Sequence, residues 1–264
     1  MAENPHNTSI KHNFFLEVLN MHSEFVKYSS HDLSLHGYLA YDDRDKEQRP
    51  AILIAHAWKG QDEFAREKAR MLADLGYVGF AVDVYGNGQC VESAEEAKEL
   101  MIPLFIDRKA LRERIAAAFQ VLSTHHIVDS SKIGAIGFCF GGLTVIELLK
   151  SGAELNGVVS FHGLLGDSLG EIQAQTLPPA EHLHGSLLIL HGYRDPMVSQ
   201  DDIVKTQTEF SKANVDWQMH LFGKAFHAFT SPEANEPESG LLYDSKAERR
   251  SLFMMRHFFE EAFA

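Results

Sequence analysis

The chain is short of cysteine, short of positive charge and without a long apolar run. Only Cys90 and Cys139 occur among 264 residues. Two thiols make no disulfide framework, so a reducing compartment and a cytoplasmic location are expected. Lysine and arginine total 24 against 37 acidic residues, a net charge of −13. That balance argues against a nucleic-acid-binding face and against docking on anionic lipid, since both surfaces would repel it. No stretch of about 18 apolar residues exists, so no membrane-crossing helix is expected. The opening segment, MAENPHNTSIKHNFFLEVLN, lacks the basic start, apolar run and small-residue cleavage site of a secretory signal. No repeat and no Pro/Gly/Ser-rich linker divides the chain. The expected organisation is a polar extension over residues 1–21 and one domain over 22–264. Hydrophobic residues at 45% serve such a domain without disulfide staples, because a chain of this length buries about three quarters of its unfolded surface.

What is present is an alternation of short apolar runs with amphipathic stretches, the pattern of a mostly parallel sheet with helices on both faces. Segments 23–28 and 33–41 alternate as an antiparallel pair around turn-forming residues Ser29 to Asp32. Ala51–Ala55 (AILIA) and Val78–Val84 read as buried strands. Between them, Glu63–Leu75 reads as a helix closed by Gly76. Two more helices are expected at Glu92–Leu104 and Lys109–Leu122, with Pro103 breaking the pattern between them. Then come a strand at Lys132–Gly137, a helix at Leu143–Lys150, and strands at Gly157–Phe161 and Ser186–Leu190. Ser199 with Asp202 looks like a capping pair opening a helix that ends near Phe210. Trp217, Met219 and Leu221 alternate as in a half-covered strand, and Lys246–Phe263 closes the chain as a helix. The count is about eight strands.

The segment Gly137-Phe138-Cys139-Phe140-Gly141-Gly142 lies between an expected strand and an expected helix. A G-x-nucleophile-x-G run at that junction is a nucleophile elbow. The turn strains the central residue and lifts it above the carboxyl edge of the sheet, while the flanking glycines let strand and helix approach. The helix that follows aims its N-terminal amides at the nucleophile, which favours a thiolate. A cysteine in a glycine-rich turn is by default a small buried residue. Two later features weigh against that. Asp195 follows the SLLIL strand in HGYRDP, and His227 follows the last strand in GKAFHAF. Nucleophile, acid and histidine in that order, each just past a strand, are what a hydrolase of this architecture needs. Cys139 would attack an acyl carbon, His227 would move the protons and Asp195 would orient the histidine. Oxyanion donors are expected at the Phe140 amide and, after AILIA, at the Trp58 amide. His56, Ala57, Tyr85, Phe138 and His162 are candidate pocket residues, of which His56 and His162 read equally well as structural histidines. His125 and His126 have no acidic or thiol partner at ligand spacing, so no metal site is expected.

GFCFGG, HGYRDP, FHAFTSPEA and Asp83-Val84-Tyr85 resemble the dienelactone hydrolase (carboxymethylenebutenolidase) family of α/β-hydrolases, over about residue 24 to the end. The resemblance implies an α/β-hydrolase fold and hydrolysis of a small-molecule ester or enol-lactone through Cys139, Asp195 and His227, with neither metal nor organic cofactor, in a monomer or homodimer. The sequence departs from the family pattern at three places. A glutamate beside the oxyanion loop is replaced at Ala57. Two carboxylate-binding arginines are replaced, one at Gly86 and Asn87 and the other at Ser231. A dianionic lactone would lose its bidentate clamps, so dienelactone itself is not expected to be the substrate. A thioesterase would use the same triad. A sensor of oxidants or electrophiles acting through Cys139, with Cys90 as its second thiol, and a non-catalytic binding protein are the alternatives outside hydrolysis.

Overall fold

The computed structural model describes residues 21–44 and 46–264; the extension expected over 1–21 lies, Met21 apart, outside the described residues. Met21 already belongs to the first strand. Strands β1 (Met21–Ser30) and β2 (Leu33–Asp42) form an antiparallel hairpin in register from Met21 opposite Asp42 to Ser30 opposite Leu33. The connection is the two residues His31 and Asp32, and His31 takes φ 51, the positive value that tight hairpin turns require. Six further strands of the main sheet follow: β3 (Arg49–Ala55), β4 (Val78–Ala81), β5 (Val128–Phe138), β6 (Gly157–Phe161), β7 (Ser186–Gly192) and β8 (Trp217–Phe222). The sheet order is β1-β2-β4-β3-β5-β6-β7-β8. Among themselves strands β3 to β8 pair in parallel, while β4 meets the hairpin strand β2 antiparallel, so all six deliver their carboxyl ends to one edge of the sheet.

Helices α1 (Glu63–Asp74) and α6 (Ser245–Ala262) cover one face; α2 (Ala94–Ile106), α3 (Arg108–Ser123), α4 (Phe140–Lys150) and α5 (Gln200–Lys212) cover the other. Strand alternation sorts the core between them. Ile52 and Ile54 of β3 pack with Ala65, Leu72 and Phe259 from α1 and α6. Ala51, Leu53 and Ala55 pack with Leu104, Ile115 and Val145 on the far side. Parallel strands buried on both faces read as unbroken apolar runs, and AILIA is fully buried for that reason. Among the described residues no helix is long and apolar enough to cross a membrane.

Three expectations are corrected. Pro103 does not separate two helices. It sits inside α2, which continues to Ile106, and the break falls at Asp107. Proline removes one bond, to the carbonyl of Glu99, and Glu99 faces water. Asp107 donates its amide to the Pro103 carbonyl at 2.9 Å and accepts the Ala110 amide at 3.0 Å, closing one helix and capping the next. Strand β4 ends at Ala81 because Asp83 turns the chain: its carboxylate accepts the amides of His36, Tyr85, Gly86 and Gly88. Strand β5 starts four residues earlier than its apolar run, at Val128, because Val128 pairs beside Arg49 before the register shifts at Ala51.

Candidate active site

Three loops meet at the carboxyl edge of the sheet. Strand β5 runs into Cys139, which takes φ 56 and ψ −117 before α4 begins at Phe140. A residue with a β-carbon rarely adopts that conformation, and such strain concentrates at functional positions. Neighbouring backbone holds it: the Cys139 amide donates to Phe161 at 3.1 Å, and its carbonyl accepts from Gly142 at 3.0 Å and Leu164 at 3.2 Å. The flanking glycines are required by contact. A β-carbon on Gly141 would strike the Ala55 carbonyl, and one on Gly142 would lie 2.6 Å from Gly163 Cα and Ser160 Oγ. The turn therefore leaves Cys139 partly exposed at the strand tip.

Asp195 lies just beyond β7 and His227 just beyond β8. The His227 ring faces Asp195 with Nδ1 2.7 Å from Oδ2. The other Asp195 oxygen, Oδ1, accepts the Met197 amide at 2.8 Å, which fixes the carboxylate. The His227 backbone is pinned on both sides: its amide donates to Gly240 at 3.0 Å and its carbonyl accepts from Leu242 at 3.1 Å. Its remaining nitrogen, Nε2, is buried with no hydrogen-bond partner. Cys139 is close enough to act on the His227 charge. Burial opposes protonation of His227, but the negative charge on Cys139 and the bond to Asp195 outweigh it and push its pKa up to about 10.

The Phe140 amide is the first of α4, and helix geometry gives such an amide no intrahelical acceptor. It stands directly after Cys139, where an oxyanion donor is needed. Trp58 lies in the loop after β3. Its carbonyl accepts the Tyr85 hydroxyl at 2.8 Å, and the Gly60 amide donates to Ala57 at 3.2 Å. Tyr85 is buried, stacks on Phe140 with centroids 6.2 Å apart, and has its pKa raised by burial and by the Cys139 charge. Tyr85 therefore borders the nucleophile and braces the loop at Trp58. The exposed Cys90 is tied to the same loop, through a bridge to Gly60 and the Val91 amide donating to Lys59 at 2.9 Å.

Other candidates fall elsewhere. Phe138 is a correction: it precedes Cys139 in a strand, so it points to the opposite face, where it stacks on Phe161 at 4.7 Å and meets Phe64 edge-on at 5.1 Å. His56 is buried under Tyr85, with Nδ1 2.7 Å from the Ala57 carbonyl and Nε2 accepting the Val84 amide at 3.4 Å. Ala57 is partly exposed in the oxyanion loop. His162 is buried behind His227. Sequence reasoning missed Thr230, which bonds His162. It also missed His191, buried with Nδ1 4.0 Å from Asp195 Oδ2. Among the described residues no group of three or more His, Cys, Asp or Glu is placed to hold a metal ion.

Comparison with known proteins bears on the family of this fold. Residues 35–263 match the profile of the dienelactone hydrolase family. A carboxymethylenebutenolidase of Pseudomonas putida is 26% identical over 219 residues, 79% of this chain and 86% of that one. An uncharacterised protein of Caenorhabditis elegans is 36% identical over 157 residues, 58% of this chain and 95% of that one. Among solved structures, a dienelactone hydrolase-like promiscuous phosphotriesterase from metagenomic libraries is 34% identical with a TM-score of 0.85, covering 93% of this chain and 100% of its own.

Proposed function

The chain belongs to the dienelactone hydrolase family and is a hydrolase of esters or lactones, and from that premise we propose that it works through Cys139, His227 and Asp195 as a cysteine-dependent triad. The observation that carries the reading is the His227 ring itself. Nδ1 is committed to Asp195 at 2.7 Å, while Nε2 is buried, unpartnered and under the influence of Cys139.

In acylation the Cys139 thiolate attacks the substrate carbonyl carbon. The carbonyl electron pair moves onto oxygen, where the amides of Phe140 and Trp58 receive it. Collapse of the tetrahedral intermediate breaks the bond to the alkoxy oxygen, which takes the proton from His227 Nε2 and leaves as the alcohol. A thioester on Cys139 remains. Forming it removes the negative charge on Cys139 that helps raise the His227 pKa. The imidazole thus returns towards its ordinary range when a base is needed. His227 then takes a proton from water, the hydroxide oxygen bonds to the thioester carbon, and the thiolate departs as the carboxylic acid is released. Asp195 stays ionised throughout and keeps Nδ1 protonated.

The substrate is proposed to be a neutral or singly charged ester or lactone. Gly86, Asn87 and Ser231 offer no guanidinium at the positions where the family pattern has arginines, and the aromatic Tyr85 borders the nucleophile. Turnover depends on a reduced Cys139, which suits a reducing compartment. The test is a panel of p-nitrophenyl esters, a lactone, a thioester and a phosphotriester, run on the wild type, Cys139→Ala and His227→Ala. Ester or lactone turnover lost in both variants is expected. Wild-type rates in Cys139→Ala would overturn the triad; turnover of the thioester alone would move the proposal to a thioesterase.

A further inference from the structure

The loop that carries His227 has an anchor that the triad does not explain. His162 follows β6 with φ 37. Left-handed backbone at a residue with a β-carbon persists where the surroundings over-determine it. The surroundings here are specific. The His162 amide donates to Leu190 at 2.8 Å, on the strand that leads to Asp195. Its Nε2 lies 2.8 Å from Oγ1 of Thr230, three residues past His227 in the same loop. Its ring meets the His227 ring at 5.2 Å and 67°, and the Phe229 ring at 5.0 Å and 79°. One buried side chain therefore touches that loop at three residues while its own backbone is fixed to the sheet.

We propose that His162, through Thr230, is the positioning residue that sets the ring orientation of His227, keeping Nδ1 on Asp195 and Nε2 towards Cys139. The proposal rests on the triad reading given above. The loop continues past Thr230 to Ser231, where the chain turns on the Ser231-to-Ala228 bond of 2.9 Å, so a tether at Thr230 acts one short turn from His227. The role suits an uncharged ring. Burial pushes the His162 pKa well below the ordinary histidine range, and the charge on His227 pushes the same way. The other groups facing this cluster are His191, whose pKa is also lowered by burial, and Asp195, bonded to His227. His162 can thus lie edge-on against a protonated His227 without adding a second positive charge, whereas a lysine or arginine there would repel it.

The experiment uses the full chain with wild type, Thr230→Val, Thr230→Ser, His162→Leu, the double variant His162→Leu/Thr230→Val, and Cys139→Ala as control. It reads kcat and KM for a p-nitrophenyl ester across pH at a temperature well below each variant's melting point. Thr230→Val is nearly isosteric, so it keeps the test open if His162→Leu does not fold. The expected result is a kcat lowered about tenfold in Thr230→Val, with KM within about twofold. Thr230→Ser should restore the wild-type kcat, and the double variant should be no worse than the worse single one, since both break one link. The low-field proton signal of the His227 Nδ1–H should broaden in Thr230→Val. Wild-type kcat in Thr230→Val, or losses that multiply in the double variant, would overturn the positioning role. If Cys139→Ala is inactive while these variants are unaffected, only the positioning role fails. If Cys139→Ala is fully active, the triad fails and this inference with it.

Discussion

The two halves of the proposed triad share backbone hydrogen bonds and differ in what else holds them. The Cys139 side is held by the absence of side chains: Gly141 and Gly142 let α4 press against the Ala55 carbonyl and against Gly163. The His227 side is held by bonds and rings: Gly240 and Leu242 on its backbone, Asp195 on its ring, His162 beside it. A steric fit between backbones has no intermediate state, whereas a hydrogen-bonded loop loosens by degrees. The nucleophile is thus fixed by the folding of the sheet. The proposed base sits on a bonded loop that can yield slightly, which suits a group proposed to take up and return a proton in both half-reactions.

The sharpest way to test this division removes the chemistry and leaves the frame. Cys139→Ala should lower kcat/KM by about 10⁴-fold or more while the protein still folds, because no bond in the elbow uses the sulfur; the melting temperature should fall only by the share of the His227 stabilisation that the Cys139 charge supplies. Asp195→Asn should cost about 10²- to 10⁴-fold in kcat, since the amide presents the wrong partner to Nδ1. The fold should survive, as Oδ1 still accepts the Met197 amide. On the steric side, Gly142→Ala should destabilise the protein by about 1–3 kcal/mol, read as a lower midpoint in urea, because a β-carbon would lie 2.6 Å from Gly163 Cα. If Gly142→Ala folds with native stability and merely loses activity gradually, the contrast between the two halves is wrong. Tyr85→Phe should lower kcat about fivefold. It removes one hydrogen bond of about 1 kcal/mol, the 2.8 Å bond that braces the Trp58 carbonyl.

The remaining effects concern pH. His227 holds its proton more tightly folded, at about 10, than unfolded, at about 6.5. Its contribution to stability is therefore complete below pH 6.5 and is lost as pH rises through 10. Activity that needs the His227 proton for the leaving alcohol should fall over the same upper range. In Cys139→Ala one of the groups raising the pKa is gone, so the alkaline loss of stability should begin at lower pH. His162 has the reverse sign: its folded pKa is depressed, so its contribution is present above pH 6.5 and is lost on acidification. Melting curves of wild type and His162→Leu between pH 5 and 7 should differ in slope, the variant being flatter.

Cys139, Asp195 and His227, the proposed triad, are legible as candidates because each announces itself locally. Gly137-Phe138-Cys139-Phe140-Gly141 is a five-residue steric requirement, and Asp195 and His227 each follow an apolar run that ends at the sheet edge. The central strands β3 to β7 are legible for the same reason, since buried parallel strands read as uninterrupted apolar segments, whereas β1, β2 and β8 show as alternating patterns. What the sequence concealed depends on three-dimensional pairing. Phe138 adjoins the nucleophile in sequence, and that adjacency in a strand sends it to the other face. His162 and Thr230 are brought together by β6 and β8, and neither neighbourhood carries a mark of the other. Pro103 misled because its effect depends on the missing partner: the Glu99 end of α2 is open to water, so the lost bond is cheap.

The bridge between Gly60 and Cys90 has a practical consequence. It ties an exposed thiol to the loop that carries Trp58. A fluorophore or spin label on Cys90 would thus ride on the strand of chain that faces the reacting carbonyl, and its signal would report each acylation without touching the chemistry. The same exposed thiol sets a condition on any active-site titration of this protein. An alkylating reagent will count two sulfurs, so the number of working sites can be obtained only with Cys90 first replaced by serine.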